Sequence, residues 1–96
     1  MKAAIYSPYL DTFGGGEKYM MTIAEILAQR RNKVDVILDK HLLAIGSSFI
    51  KYGLQKRFDL NLENVNFTAG PLGKGSDIFR RQFFLKKYDL LFFLTP

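Results

Sequence analysis

The chain has 96 residues, 48% hydrophobic and 24% charged, a balance that argues against a disordered polymer and fits one small domain over residues 1–96, or part of a larger one. It contains no cysteine and a single histidine, His41, which excludes disulfides, thiolate chemistry and a metal site built on cysteine or several histidines. The formal net charge of +5 favours an anionic partner, whether nucleotide, lipid headgroup or nucleic acid, with a solvated basic face as the alternative.

Lys2 to Ser7 reads as a first strand that Pro8 ends. The apolar stretch after Lys2 is broken by Pro8 and Asp11 too early for a secretory leader, and no segment reaches the roughly 20 apolar residues that span a bilayer. A cytoplasmic protein, with peripheral membrane contact as an extension, is the expectation. Tyr9 to Gly16 forms a loop. A helix follows from near Gly16 to Gln29, with Met20, Ile23, Ala24 and Leu27 as its buried stripe. Glu17 in its first turn and Arg30-Arg31 near its last suit the helix dipole. Val34 to Leu38 reads as a second strand, followed by Asp39.

Lys40 to Ser47 is ambiguous, and Gly46-Ser47-Ser48 marks a break. Phe49 to Phe58 reads as a helix, with Ile50, Leu54 and Phe58 four apart. Asn64 to Thr68 is a short third strand, and the glycines of Ala69 to Gly75 mark a loop. Ser76 or Asp77 caps a further helix through Lys87, with Ile78, Phe79, Phe83 and Leu85 as its buried face. Leu90 to Leu94 is a fourth strand without polar alternation, so both of its faces are expected to be buried. Strands alternating with helices give an α/β, Rossmann-like, three-layer domain. Its sheet is mainly parallel, with about four strands in the order 3-2-1-4.

The run Gly14-Gly15-Gly16 between the first strand and the first helix stands out. Three glycines let the backbone approach a ligand, and the helix start offers free N–H groups to an anion. A Gly-x-Gly-x-x-Gly dinucleotide fingerprint is incomplete, because Tyr19 holds its last position, where a side chain should obstruct helix–strand packing. Asp39 would be the ribose-binding acid of such a site. Lys18-Tyr19 lacks the Lys-Ser or Lys-Thr pair of a phosphate-binding P-loop. A purely structural tight turn is the remaining reading.

Ile5-Tyr6-Ser7-Pro8, the turn Gly14-Gly15-Gly16-Glu17-Lys18 and the strand Val34-Asp35-Val36-Ile37 resemble the N-terminus of GT-B glycosyltransferases, closest to the retaining, glycogen-synthase-like family four. Lys56-Arg57-Phe58-Asp59-Leu60 with Asn64-Val65, and Tyr88-Asp89-Leu90-Leu91, are similar to that family's entries into its third and fourth strands. The resemblance implies two Rossmann-like domains with the active site in the cleft between them. The N-terminal domain mostly binds the acceptor, and its glycine turn lies against the donor's diphosphate or sugar. The C-terminal domain, which carries the family's Glu-x7-Glu motif, is not expected in this sequence.

On that resemblance the chain is the incomplete N-terminal domain of a transferase that moves sugar from a nucleotide-sugar to an unknown acceptor, inactive alone for want of its partner domain. Gly14, Gly15, Gly16, Glu17 and Lys18 would contact donor phosphate or sugar, with the nucleotide-sugar as substrate and no cofactor or metal. His41 does not match the family's donor-side histidine. Arg80 and Arg81 are candidates for an acceptor or membrane contact, or are solvated beside a buried Phe79/Phe83 stripe. Nucleic acid is not an expected partner, since no base-reading motif is present. A non-catalytic anion- or partner-binding module is the alternative function.

Overall fold

A computed structural model describes residues 1–6, 15–70 and 78–93. In chain order it contains β1 (Lys2–Tyr6), α1 (Gly15–Gln29), β2 (Lys33–Leu38), α2 (Lys40–Ile45), α3 (Ser47–Phe58), β3 (Val65–Ala69), α4 (Ile78–Leu85) and β4 (Leu90–Phe93). The expected ends at Ser7, Pro8 and Leu94, the loop from Tyr9 through Gly14, the stretch from Pro71 to Gly75 and the cap at Ser76 or Asp77 lie outside the described residues. The four strands form one all-parallel sheet in the order β3-β2-β1-β4. The expected α/β class and strand order are therefore the observed ones.

Strand alternation divides the side chains between two layers. On one face Ile5, Val34, Val36, Leu38 and Val65 pack against Met20, Met21 and Ala24 of α1, Leu42 of α2, and Ile50 and Leu54 of α3. On the other face Ala4 and Ile37 meet Phe84 and Leu85 of α4 and the rings of Tyr6 and Tyr88. Gly70, just past β3, makes this second layer possible. A Cβ there would lie 2.7 Å from Ile37 Cγ2 and 2.8 Å from Phe84 Cζ, closer than carbon atoms approach.

The ambiguous segment after Asp39 is the helix α2, and the break after it is sharp. Gly46 joins α2 to α3 at φ 115°, a backbone conformation that side chains rarely adopt. Its carbonyl accepts from Ile50 N and its amide donates to Leu42 O, so one residue closes one helix and opens the next. Lys51 of α3 serves the fold: its ammonium donates to the Glu63 and Val65 carbonyls at 3.1 and 2.9 Å.

Helix α1 ends at Gln29, ahead of Arg30 and Arg31, in a left-handed cap. Arg31 has φ 64°, its amide donates to Ala28 O, and Asn32 N donates to Leu27 O. This is the Schellman pattern, whose left-handed position glycine fills without steric cost. Arg31→Gly is expected to stabilise the fold by about 1 kcal/mol, read as a rise of roughly 4–8 °C in the melting temperature.

Two expectations about burial are corrected. Phe79 and Phe83 are not core: they are 78% and 72% exposed, and α4 turns Phe84 and Leu85 to the sheet instead. Strand β4 is not buried on both faces. Phe92 packs into the main core, but β4 is an edge strand and Leu91, on the α4 side, is 45% exposed.

Candidate functional site

In a parallel sheet ordered 3-2-1-4, the connections leaving β1 and β3 depart to opposite faces, which opens a crevice at the carboxyl ends of β1 and β4. The glycine turn leaves β1 at that crevice. Of the five residues singled out there, Gly14 lies outside the described residues. Gly15 and Gly16 begin α1, so their amides belong to the first turn, where helix N–H groups have no intrahelical acceptor. Lys18 is exposed, and its carbonyl accepts the Thr22 hydroxyl at 2.7 Å.

Glu17 is the unusual member. It is 4% exposed, yet among the described residues no group donates a hydrogen bond or pairs a charge to its carboxylate. Buried polar groups are nearly always partnered, and a carboxylate shielded from water is costly when left alone. Helix geometry puts Glu17 on the same side of α1 as Met20, Met21 and Ala24, at the i, i+3, i+4 and i+7 spacing of one helix face.

Tyr19 faces away from the sheet, 69% exposed. The obstruction anticipated from a side chain at the last fingerprint position therefore does not arise. The ribose-acid role for Asp39 meets a different obstacle. The Tyr6 hydroxyl lies 2.8 Å from each Asp39 carboxylate oxygen, joining the carboxyl ends of β1 and β2. That contact also explains why Asp39, at the N-cap of α2, makes no side-chain capping bond.

A second polar group sits in the sheet itself and was not anticipated. Asp35, in the middle of β2, is 5% exposed. The Tyr88 hydroxyl donates to its Oδ2 at 2.8 Å, and Asn66 Nδ2 donates to its Oδ1 at 3.3 Å. Between Asp35 and β4 stands Ala4, whose small side chain leaves room for the Tyr88 ring on this face. The Lys2 ammonium lies 5.0 Å from the centre of that ring. Burial, reinforced by the Asp35 carboxylate, raises the Tyr88 phenol well above its ordinary value of 10. The only sequence sign of this cluster is a lone carboxylate inside an apolar strand. The cluster ties β2 to the entry of β4 and stands apart from the glycine turn. Of the other proposed contacts, Arg80 is exposed on α4, and Arg81 lies on the same helix.

Among the described residues no group of three or more potential ligands is placed to hold a metal ion. The crevice therefore offers amide donors at the start of α1 and one buried carboxylate acceptor. Amides suit phosphate oxygens and a carboxylate suits hydroxyl groups, and a sugar phosphate presents both. No protein-family model, curated protein or solved structure matches the chain.

Proposed function

We propose that the chain is the N-terminal, acceptor-side part of a glycosyltransferase that moves a sugar from a nucleotide-sugar donor to a separate acceptor. The observation that carries this reading is Glu17, a carboxylate 4% exposed and unpartnered among the described residues, in the first turn after the glycines. Transfer from a nucleotide sugar builds negative charge on the departing diphosphate, and fixed amides at a helix start stabilise such charge without reorganising. The carboxylate then holds a sugar hydroxyl. The 3-2-1-4 sheet supports the reading by putting both groups at the topological switch point. On this reading the protein acts in the cytoplasm and needs a second domain to complete the donor site.

Titration of isotope-labelled protein with uridine and guanosine diphosphate sugars tests the proposal by amide chemical shifts. Shifts confined to Gly15, Gly16, Glu17 and Lys18 are expected. No response there to any nucleotide sugar, nucleoside diphosphate or sugar phosphate overturns it. A response to inorganic phosphate equal to that for the nucleotide sugars favours the second reading, a non-catalytic anion-binding module.

A further inference from the structure

We propose that Asp39 is a positioning residue for the glycine-turn site, acting through the Tyr6 hydroxyl to fix where β1 hands over to α1. Tyr6 is the last paired residue of β1 on both sides, level with Ile37 of β2 and Phe93 of β4. Asp39 follows β2 with extended backbone, φ -74° and ψ 167°, so strand alternation continues through it and puts its side chain on the α4 face with Tyr6. There the phenol hydroxyl donates between the two carboxylate oxygens, 2.8 Å from each.

Two observations give this bond a purpose beyond local structure. An aspartate at a helix N-cap ordinarily accepts from an amide of the first turn. Asp39 stands at the N-cap of α2 and makes no such bond; its carboxylate serves a residue 33 positions away instead. The second observation is where the bond lies. Past Tyr6 the chain leaves the sheet for α1, whose Met20, Met21 and Ala24 pack on the opposite face. The Tyr6 ring is anchored on the α4 face, among Ala4, Ile37 and Phe84. The bond therefore secures the strand exit from the side that α1 does not hold, and ties β1 to β2 at the level where their ladder ends.

Amides at a helix start stabilise developing charge only when they are already aimed, and a misplacement of about 1 Å loses much of that advantage. Gly15 and Gly16 supply those amides, with Glu17 as the buried acceptor. A strand exit free to shift would let the first turn of α1 shift with it. Asp39 itself does not touch the ligand on this account. A carboxylate at the diphosphate's end of the sheet opposes binding through its charge, so the two roles differ in sign. Removing Asp39 strengthens binding if the residue is merely nearby, and weakens it if the residue positions the site. The choice of ligand rests on the sugar-transfer reading; the positioning does not.

Three variants test the proposal. Tyr6→Phe and Asp39→Ala delete the bond, whereas the side-chain carbonyl of Asp39→Asn still accepts from the phenol. None removes a capping bond or a fully buried group, so all three should fold, as circular dichroism will show. In amide spectra of the ligand-free protein, Gly15 and Gly16 are expected to shift or broaden in both deletions and to match the parent in Asp39→Asn. Titration with uridine diphosphate glucose and guanosine diphosphate mannose follows. Both deletions should weaken the parent's binding about tenfold, the scale of one hydrogen bond to a charged group, and Asp39→Asn should bind as the parent does or more tightly. Glycine amides unmoved by the deletions, even with stability lowered, make the bond a structural clasp and overturn the proposal. Tighter binding by Asp39→Ala overturns it as well. If the parent binds no nucleotide sugar, the sugar-transfer reading fails at its own test, and the ligand-free spectra still decide the role of Asp39.

Discussion

Tyr88→Phe is expected to lower stability by about 2–3 kcal/mol at neutral pH and to reduce the protein's sensitivity to alkali. The first effect follows from Asp35. Its carboxylate is buried and held by two donors, the Tyr88 hydroxyl and the Asn66 amide. Removing the shorter bond leaves a shielded charge with a single, longer partner, and hydrogen bonds to charged groups are worth about 1.5–3 kcal/mol. Denaturant unfolding of the parent and variant at pH 7 measures it.

The alkaline effect has a definite sign. The folded protein holds the Tyr88 proton more tightly than the unfolded chain, because burial and the neighbouring carboxylate both oppose a phenolate. Up to about pH 9, below the ordinary phenol value of 10 at which the unfolded chain titrates, the phenol is neutral in both states and its contribution is complete. Above that the unfolded chain releases the proton while the folded chain keeps it, so stability falls with a limiting slope of about 1.4 kcal/mol per pH unit. Tyr88 is only half-buried, and solvent screening makes the observed slope shallower. The parent should lose more stability between about pH 10 and 11.5 than the phenylalanine variant does. An equal loss in both would assign alkaline unfolding to other groups.

Glu17→Met is expected to move stability and binding in opposite directions. Methionine matches the length of the glutamate, forms helix equally well and removes a buried charge that no described group balances. A gain of about 1–3 kcal/mol in unfolding free energy should follow, since that is the range for relieving an unsatisfied buried group. If the sugar-transfer proposal holds, nucleotide-sugar binding should weaken at least about tenfold, the loss of one charge-assisted hydrogen bond to a hydroxyl. A residue that weakens the fold while serving a ligand is the signature of a site. If the variant is less stable and binding is unaltered, Glu17 is a structural residue and the glycine turn loses its acceptor group.

The sheet was legible because strand–helix alternation and right-handed crossovers leave few topologies. The inward stripe of α1 was legible too: Met20 and Ala24 stand in the core, joined by Met21. Helix α4 was not, for a physical reason. Ile78, Phe79, Phe83, Phe84 and Leu85 put apolar groups nearly all the way round it, so periodicity cannot choose which pair meets the sheet. That choice is made by contacts far away in sequence, Gly70 and Ile37 against Phe84. Asp35 escaped notice on similar grounds, since its partner Tyr88 is 53 residues distant. At the glycine turn, the position of Glu17 in the first helical turn could be read from sequence, but its burial depends on how α1 lies on the sheet.

Asp89 and Lys2 exchange two hydrogen bonds, Lys2 N to Asp89 Oδ2 at 2.8 Å and Asp89 N to Lys2 O at 2.7 Å, across 87 residues of chain. These bonds align β1 with β4, so the central first strand cannot complete its pairing until β4 is available. During synthesis β1 leaves the ribosome long before β4 and must stay unsatisfied along one edge. Such distant pairings carry a high loop-closure cost and slow the rate-limiting step, placing this domain among the slower folders of its size. Its hazard is thus a matter of timing: an unpaired, apolar Ala3-Ala4-Ile5 edge waiting for its last strand is the window in which newly made chains can aggregate.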